Sequence, residues 1–249
     1  MATKQLDTKV VLVTGAARRI GAEIAVFFHG KGYKTIIHFN SAVSEAEELR
    51  DQLNDCRPNS CLLVQGDLNH ELGIRAIVDR VESCGRLDVL VNNASSFYPT
   101  PLETSSESQW EDLMNTNLKG PLYLSKLLAS ILTQNSGSIV NISDTHARQA
   151  LKRHSIYSIA KAGNIAMTKS LALELAPAVR VNSVAPGAIL WPEHESDDVD
   201  ERTEVLNKIP LGRLGTTRDI AECVYFLAVT ATYITGQTIA VDGGSGRAI

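Results

Sequence analysis

The stretch at 142–163, ISDTHARQALKRHSIYSIAKAG, holds three side chains of the kind that move protons. Tyr157 and Lys161 are four residues apart, so on a helix they share one face. An ammonium close to a phenol favours the phenolate and lowers a pKa that otherwise sits at about 10, toward a range useful for acid–base work. Asp144 precedes the tyrosine by thirteen residues. If the chemistry builds negative charge on an oxygen, an ionised Asp144 opposes it. If a nitrogen must gain a proton, an aspartate that shares a proton with it helps. Asp144 therefore points to a nitrogen heterocycle, with a protonated Asp144 working on a carbonyl as the alternative. A nearby Lys161 favours the ionised form and burial under a flat ligand disfavours it, so both forms stay open here. Asp144 and Tyr157 are expected to titrate as a pair.

A Tyr–Lys pair on a helix often does nothing, so its weight depends on its surroundings. Near the start of the chain, VLVTGAARRIGAEIAVFF puts Gly15 and Gly21 between an apolar strand-like run and a helical pattern. Gly15 permits a tight turn and Gly21 close packing of the helix. The helix N-terminus then offers free N–H groups to a pyrophosphate. Arg19 stands where such a turn often has a further glycine, and Arg18 precedes it. The second strand ends HFNSAVSE, with His38, Phe39, Asn40 and Ser41 and no acid before Glu45. A carboxylate at this strand end would suit a free ribose 2′-hydroxyl, whereas Arg18, Asn40 and Ser41 suit a 2′-phosphate. NADPH is the expected cofactor.

The elements that must position these residues follow from periodicity. Apolar runs at 9–14, 34–39, 61–65, 87–93, 137–143, 179–185 and 237–242 are continuous rather than alternating. Strands covered on both faces by helices have this pattern. Amphipathic stretches lie between them. Ser44 with Glu47, and Ser106 with Gln109, read as capping boxes. Long helices are expected at 107–132 and 155–176. The alternation predicts an α/β fold: a single doubly wound Rossmann-type domain over 1–249, with a mostly parallel seven-stranded sheet and helices on both faces. The irregular region 186–216 is acidic, and a substrate flap is expected at about 187–215, where Trp191 covers the pocket or anchors the flap.

Composition bounds the partners. Lys plus Arg is 24 against 28 Asp plus Glu, a net charge of −4 that argues against a general nucleic-acid binder. Cys56, Cys61, Cys84 and Cys223 form no CxxC pair, and the six histidines include no HExxH, so free thiols and no metal are expected. The N-terminus has no apolar signal core, and no stretch reaches membrane-spanning length without charges. A soluble, cytoplasmic protein is expected.

Taken together, the glycine turn, NNA at 92–94, Asn117 in NTNLKG, YSIAK at 157–161, PG at 186–187 and ITGQTIAVDGG near the end resemble the short-chain dehydrogenase/reductase family. The resemblance implies that Tyr157 is the acid, that Lys161 orients the nicotinamide ribose and lowers the tyrosine pKa, and that Asn117 supports a proton relay. It implies a cofactor site of Gly15, Arg18, Arg19, Ile20, Phe39, Asn40 and Ser41, then Asp67 and Leu68 at the adenine. Asn93, Ala94, Ser95, Tyr157, Lys161, Pro186 and Gly187 complete that site. The family usually has serine at position 144. Ser143, one residue earlier on a strand, points to the other face.

Arg19, NNASSFYPTPL at 92–102 and Asp144 with Tyr157 and Lys161 look more narrowly like the pteridine reductases, with the bacterial dihydromonapterin reductases sharing much of the pattern. That likeness implies that Phe97 stacks on a pterin, that Ser95 bonds both cofactor and substrate, and that Arg19 touches phosphate and pterin. The substrate set is then Arg19, Ser95, Phe97, Asp144 and Tyr157. Ile189 departs from a serine found in some of these enzymes. The expected activity is reduction of a pterin or folate at a C=N bond. The alternatives are a carbonyl reductase of the same fold, acting on 3-oxoacyl thioesters or sugars, and a non-catalytic NADPH-binding protein. The resemblance favours a homotetramer built through the two long helices.

Overall fold

In VVLV at Val10–Val13 every side chain is buried, yet the four do not share a core. Val11 and Val13 enter one hydrophobic cluster and Val10 and Leu12 the other. Successive residues of a strand point to opposite faces, so a strand buried on both sides reads as an unbroken apolar run. The computed structural model of the chain describes residues 8–190 and 199–246.

The strands are β1 Val10–Val13, β2 Lys34–Phe39, β3 Cys61–Gln65, β4 Val89–Asn92, β5 Ser138–Ile142, β6 Arg180–Pro186 and β7 Thr238–Val241. They form one sheet in the order β3-β2-β1-β4-β5-β6-β7, and every ladder is parallel. Parallel neighbours require crossovers. These are α1 Arg19–Gly30, α2 Val43–Cys56, α3 Glu71–Cys84, α4 Glu107–Met114 running on into α5 Gly120–Gln134, α6 Ser155–Glu174, α7 Val199–Asn207 and α8 Thr217–Tyr225. Residues of α1, α2 and α8 fill the cluster on one face of the sheet; residues of α3, α5 and α6 fill the other. This is the doubly wound Rossmann-type α/β fold that the sequence predicts. Strand order reverses between β1 and β4, and ligands of such sheets bind outside the carboxyl ends of the strands at that point.

The Ser106–Gln109 capping box forms with both arms. The Ser44–Glu47 box does not. The Val43 N–H turns back onto the Ser41 carbonyl at 2.9 Å, so α2 starts at Val43 with Ala42 as its cap and Ser44 already inside the first turn. The helix expected over 107–132 is interrupted at Asn115–Lys119 by a π-helical turn. Within 186–216, α7 occupies part of the expected flap, while residues 191–198, Trp191 among them, lie outside the described residues.

Candidate active site

A cleft of about 1200 Å³ opens at the carboxyl ends of the strands, and all the residues expected to bind cofactor or substrate line it. Its floor is the glycine turn after β1. Gly15 has φ +60, and a Cβ there would stand 2.8 Å from the Cα of Ala94. A Cβ on Gly21 would stand 2.3 Å from the Gly15 carbonyl oxygen. Only glycine fits either place. The NNA segment fixes this turn from β4: Asn93 Nδ2 donates to the Thr14 and Gly15 carbonyls at 2.8 and 3.0 Å, and the Asn93 and Ala94 amides donate to Thr14 Oγ1 at 2.9 and 3.0 Å. The Asn93 amide nitrogen is thus committed to holding the turn's backbone. His38 completes the cradle by accepting the Gly15 N–H at 3.1 Å.

Arg19 has φ +53, the left-handed backbone that glycine normally supplies in such a turn. The guanidinium is kept at the cost of strain. Arg18, Asn40 and Ser41 line the end of the cleft where α2 begins, and Arg19 also lines the cleft. Glu45 reaches back from α2 to Arg18, 3.4 Å away, so a carboxylate does approach this end from the helix. Both side chains are about half exposed, and a pair of that kind contributes little against charge-assisted bonds to a phosphate. Asp67 accepts the Asn69 N–H at 2.9 Å and lines the cleft beside Leu68. Together, the cradle and this polar end fit a dinucleotide.

At the other end, Tyr157 Oη donates to Asp144 Oδ2 at 2.7 Å. The opposite oxygen, Oδ1, takes the backbone N–H of His146 and lies 2.7 Å from His146 Nδ1. Burial alone would raise the Asp144 pKa, but the bonds from His146 and Tyr157 outweigh it and hold the carboxyl below its usual range. His146 is raised in turn, chiefly by its bond to Asp144. The sequence leads one to expect a Tyr157 phenol lowered by Lys161. The structure corrects this: burial first, then the charge and hydrogen bond of Asp144, push the phenol up, and Ser95 opposes them only in part. Lys161 Nζ donates to the Ile142 carbonyl at 2.9 Å and sits 5.7 Å from the Tyr157 ring centroid. Its burial pushes its own pKa down to about 8. Ser143 faces away, its hydroxyl 3.3 Å from the Lys161 carbonyl, as the strand alternation requires.

Asn117 alone among the expected site residues does not line the cleft. It is buried in the π-helical turn, where its Nδ2 donates to the Ser96 and Leu113 carbonyls. Pro121 explains the turn's use: it has no N–H to give to the Asn117 carbonyl four residues back. That carbonyl accepts Asn164 Nδ2 from α6 at 3.3 Å instead. From Asn164 the bonded chain runs through Thr168 and Asn141 to Asn92, fixing α6 and its Tyr157–Lys161 face against β4 and β5. Phe97 stacks on His154 with centroids 4.7 Å apart and meets the Tyr157 ring edge-on at 4.8 Å. Phe97 nevertheless stays about half exposed at the edge of the cleft that it lines. Ile189 is buried among core side chains. Among the described residues no group of three or more His, Cys, Asp or Glu is arranged to hold a metal ion, and no helix is long and apolar enough to cross a membrane.

A family model described as Enoyl-(Acyl carrier protein) reductase matches residues 15–246. The chain belongs to the short-chain dehydrogenase/reductase family. As such it is an oxidoreductase of a family that uses NAD(P)H. Pteridine reductase 1 of Leishmania tarentolae is 36% identical, over 94% of this chain and 95% of its own. A 3-oxoacyl-(acyl-carrier-protein) reductase of Vibrio cholerae is 39% identical over 96% and 98%, and one of Thermotoga maritima 36% over 96% and 98%. The pteridine reductase and the 3-oxoacyl reductases are thus of nearly equal likeness to this chain.

Two residues of this site were not assigned a role from sequence. His146 was visible only as one of six scattered histidines; its place two residues after Asp144 was the available signal, since an aspartate readily bonds the backbone two residues on. His38 stands in the strand end HFNSAVSE, where spacing gives no sign that its ring turns back to Gly15.

Proposed function

We propose that the protein is an NADPH-dependent pteridine reductase acting on an oxidised or dihydro pterin or on dihydrofolate. The observation that carries this reading is the Asp144–Tyr157 bond of 2.7 Å at the position where the family usually has serine. A carboxylate held below its usual pKa opposes the oxyanion of a carbonyl reduction, whereas it can pair with a ring nitrogen that carries a proton. A reduced nicotinamide, when bound, supplies the hydride for the C=N carbon. Asp144 and Tyr157 direct the proton to the nitrogen, Lys161 holds the ribose side, and Asn117 steadies α6. Ser95, bonded to Tyr157, and Arg19, which lines the same cleft, offer donors to a heterocycle's polar edge, with the half-exposed Phe97 ring beside Tyr157 as its platform. NADPH is favoured over NADH by Arg18, Asn40 and Ser41 at one end of the cleft, with no acid at the end of β2.

The second reading, a 3-oxoacyl thioester reductase, is favoured by relatives of equal likeness. NADPH oxidation followed with dihydrobiopterin, dihydrofolate and an acetoacetyl thioester separates the two. Turnover of the thioester alone overturns the pterin assignment. We further propose a homotetramer in the cytoplasm. Leu122, Tyr123 and Leu127 on α5 and Ile159 and Leu173 on α6 are apolar and exposed, as an interface through these helices requires.

A further inference from the structure

We propose that His146 is a positioning residue of this active site: it locks the Asp144 carboxylate against Tyr157 and supplies, from the solvent side, the proton that Asp144 hands to the substrate. The proposal rests on the pterin reading for the identity of the acceptor, but its geometry stands on three short bonds. His146 N and Nδ1 both lie 2.7 Å from Oδ1, and Tyr157 Oη lies 2.7 Å from Oδ2. The carboxylate is clamped at both oxygens, by a short helical turn at Thr145–Ala147 on one side and by α6 on the other. An anionic carboxylate has no hydrogen to give, so the proton between it and His146 is on Nδ1. That leaves Nε2 to exchange with water.

Exposure rises along the row. Tyr157 is 4% exposed, the Asp144 side chain 21% and the His146 side chain 38%. His146 is thus the member that meets solvent, and Asp144 the one between it and the phenol. The atoms balance. As the ring nitrogen takes the electron pair of the C=N bond, it gains the proton through Asp144. Starting from the imidazolium, the N–H bond at His146 Nδ1 breaks and leaves a neutral ring protonated on Nε2, an O–H bond on Asp144 forms and breaks in turn, and an N–H bond on the substrate remains. The reductant is the dinucleotide named above, and water returns a proton to His146. Without His146, Asp144 would keep one partner in a buried site, and burial favours its neutral form.

Several charged and titratable groups lie around His146 among the described residues. Asp144 bonds it directly, and Tyr157 and Lys161 stand on α6, against which its turn packs. Lys208 lines the cleft just after α7 and donates to Glu204 of that helix at 2.6 Å. Asp242 is tied to the Gly244 and Gly246 amides, and Gly246 lies beside Thr145. Of these groups, Asp144 is the one bonded to the ring.

The test uses the full chain. In an NMR titration of the histidine rings, His146 titrates above 6.5 in the wild type and falls toward 6.5 in Asp144→Asn. His146→Asn keeps an N–H donor near the place of Nδ1 but carries no titrating proton. It is expected to hold NADPH within about twofold of wild type and to lower kcat roughly 10²-fold, the low end of general acid effects. The fall of wild-type activity with rising pH disappears in this variant, and His146→Ala loses more than His146→Asn because the clamp is gone as well. The comparison is made on whichever of pterin and thioester the wild type reduces, so failure of the substrate assignment is seen in the wild type and failure of this proposal in the variants. A His146 that titrates as an ordinary surface histidine and is indifferent to Asp144→Asn overturns it. So does a His146→Asn enzyme with wild-type kcat and an unchanged pH profile.

Discussion

The His38 ring, at the end of β2, accepts the Gly15 amide proton on Nδ1 at 3.1 Å and reaches the Gly66 carbonyl with Nε2 at 2.9 Å. The first bond requires Nδ1 bare and the second requires Nε2 protonated, so the neutral ring has one tautomer in which both are made. Burial pushes its pKa down to about 4. An unfolded chain protonates this ring near 6.5, so the unfolded state binds more protons between pH 6.5 and 4. Stability therefore drops as pH falls through that window, by on the order of 3 kcal/mol for this one group. Chemical denaturation at several pH values checks this, because His38→Ala lacks the loss. The same variant leaves the Gly15 N–H without its partner and is expected to weaken NADPH binding about 10-fold or more at pH 7, read by fluorescence titration.

Tyr157→Phe keeps the ring and its edge contact with Phe97. NADPH affinity is expected to stay within about twofold, while turnover drops by about 10²–10⁴ with the loss of the phenolic proton. Stopped-flow oxidation of NADPH measures both. Activity within about twofold of wild type would place the proton source elsewhere.

Legibility in the sequence followed the range of the forces. The sheet was readable because a strand buried on both faces must be apolar throughout, as Val10–Val13 is. The glycine turn was readable because Gly15 and Gly21 leave no space for a Cβ. The start of α2 was misread since the Ser41 carbonyl, not the Ser44 side chain, takes the bond that opens it. The π-helical turn at Asn117 follows from Pro121, a local signal, but its value comes from Asn164, 47 residues on. Lys161, four residues on, signals a lowered Tyr157 phenol, whereas burial and Asp144, which spacing does not display, push it up. Side chains that turn back on the chain, His38 onto Gly15 and His146 onto Asp144, carry no periodicity and emerge only from coordinates.

Arg19 carries a positive φ in a turn that glycine would relax. Arg19→Gly removes roughly 1–2 kcal/mol of left-handed strain, although glycine returns part of that as unfolded-state entropy. The melting temperature is expected to hold or rise while KM for both NADPH and the pterin rises several-fold. A fall in stability with unchanged KM would mean that the arginine serves the fold and not the ligands.

Asp144→Ser restores the hydroxyl that the family usually carries. NADPH affinity should stay near wild type, while pterin reduction falls and a weak carbonyl activity appears. The phenol of Tyr157 loses the charge and bond that push it up, and His146 loses the partner that raises it. The stability consequence has a definite sign. His146 is raised above 6.5, so its contribution is full below 6.5 and is lost as pH rises through its folded value. Asp144 is lowered below 3.8, so its contribution is present above 3.8 and is lost as pH falls through its folded value. The two describe one ion pair, present between those limits. The wild-type advantage in melting temperature over Asp144→Ser should therefore be widest between pH 3.8 and 6.5 and shrink on either side. On the pterin reading proposed above, wild-type turnover is expected to fall with rising pH as the pair loses its shared proton, and the serine enzyme is expected to lack this limb. Equal pterin turnover by Asp144→Ser, with the wild-type pH profile, would remove the aspartate from the chemistry and with it the physical ground for preferring a pterin over a carbonyl.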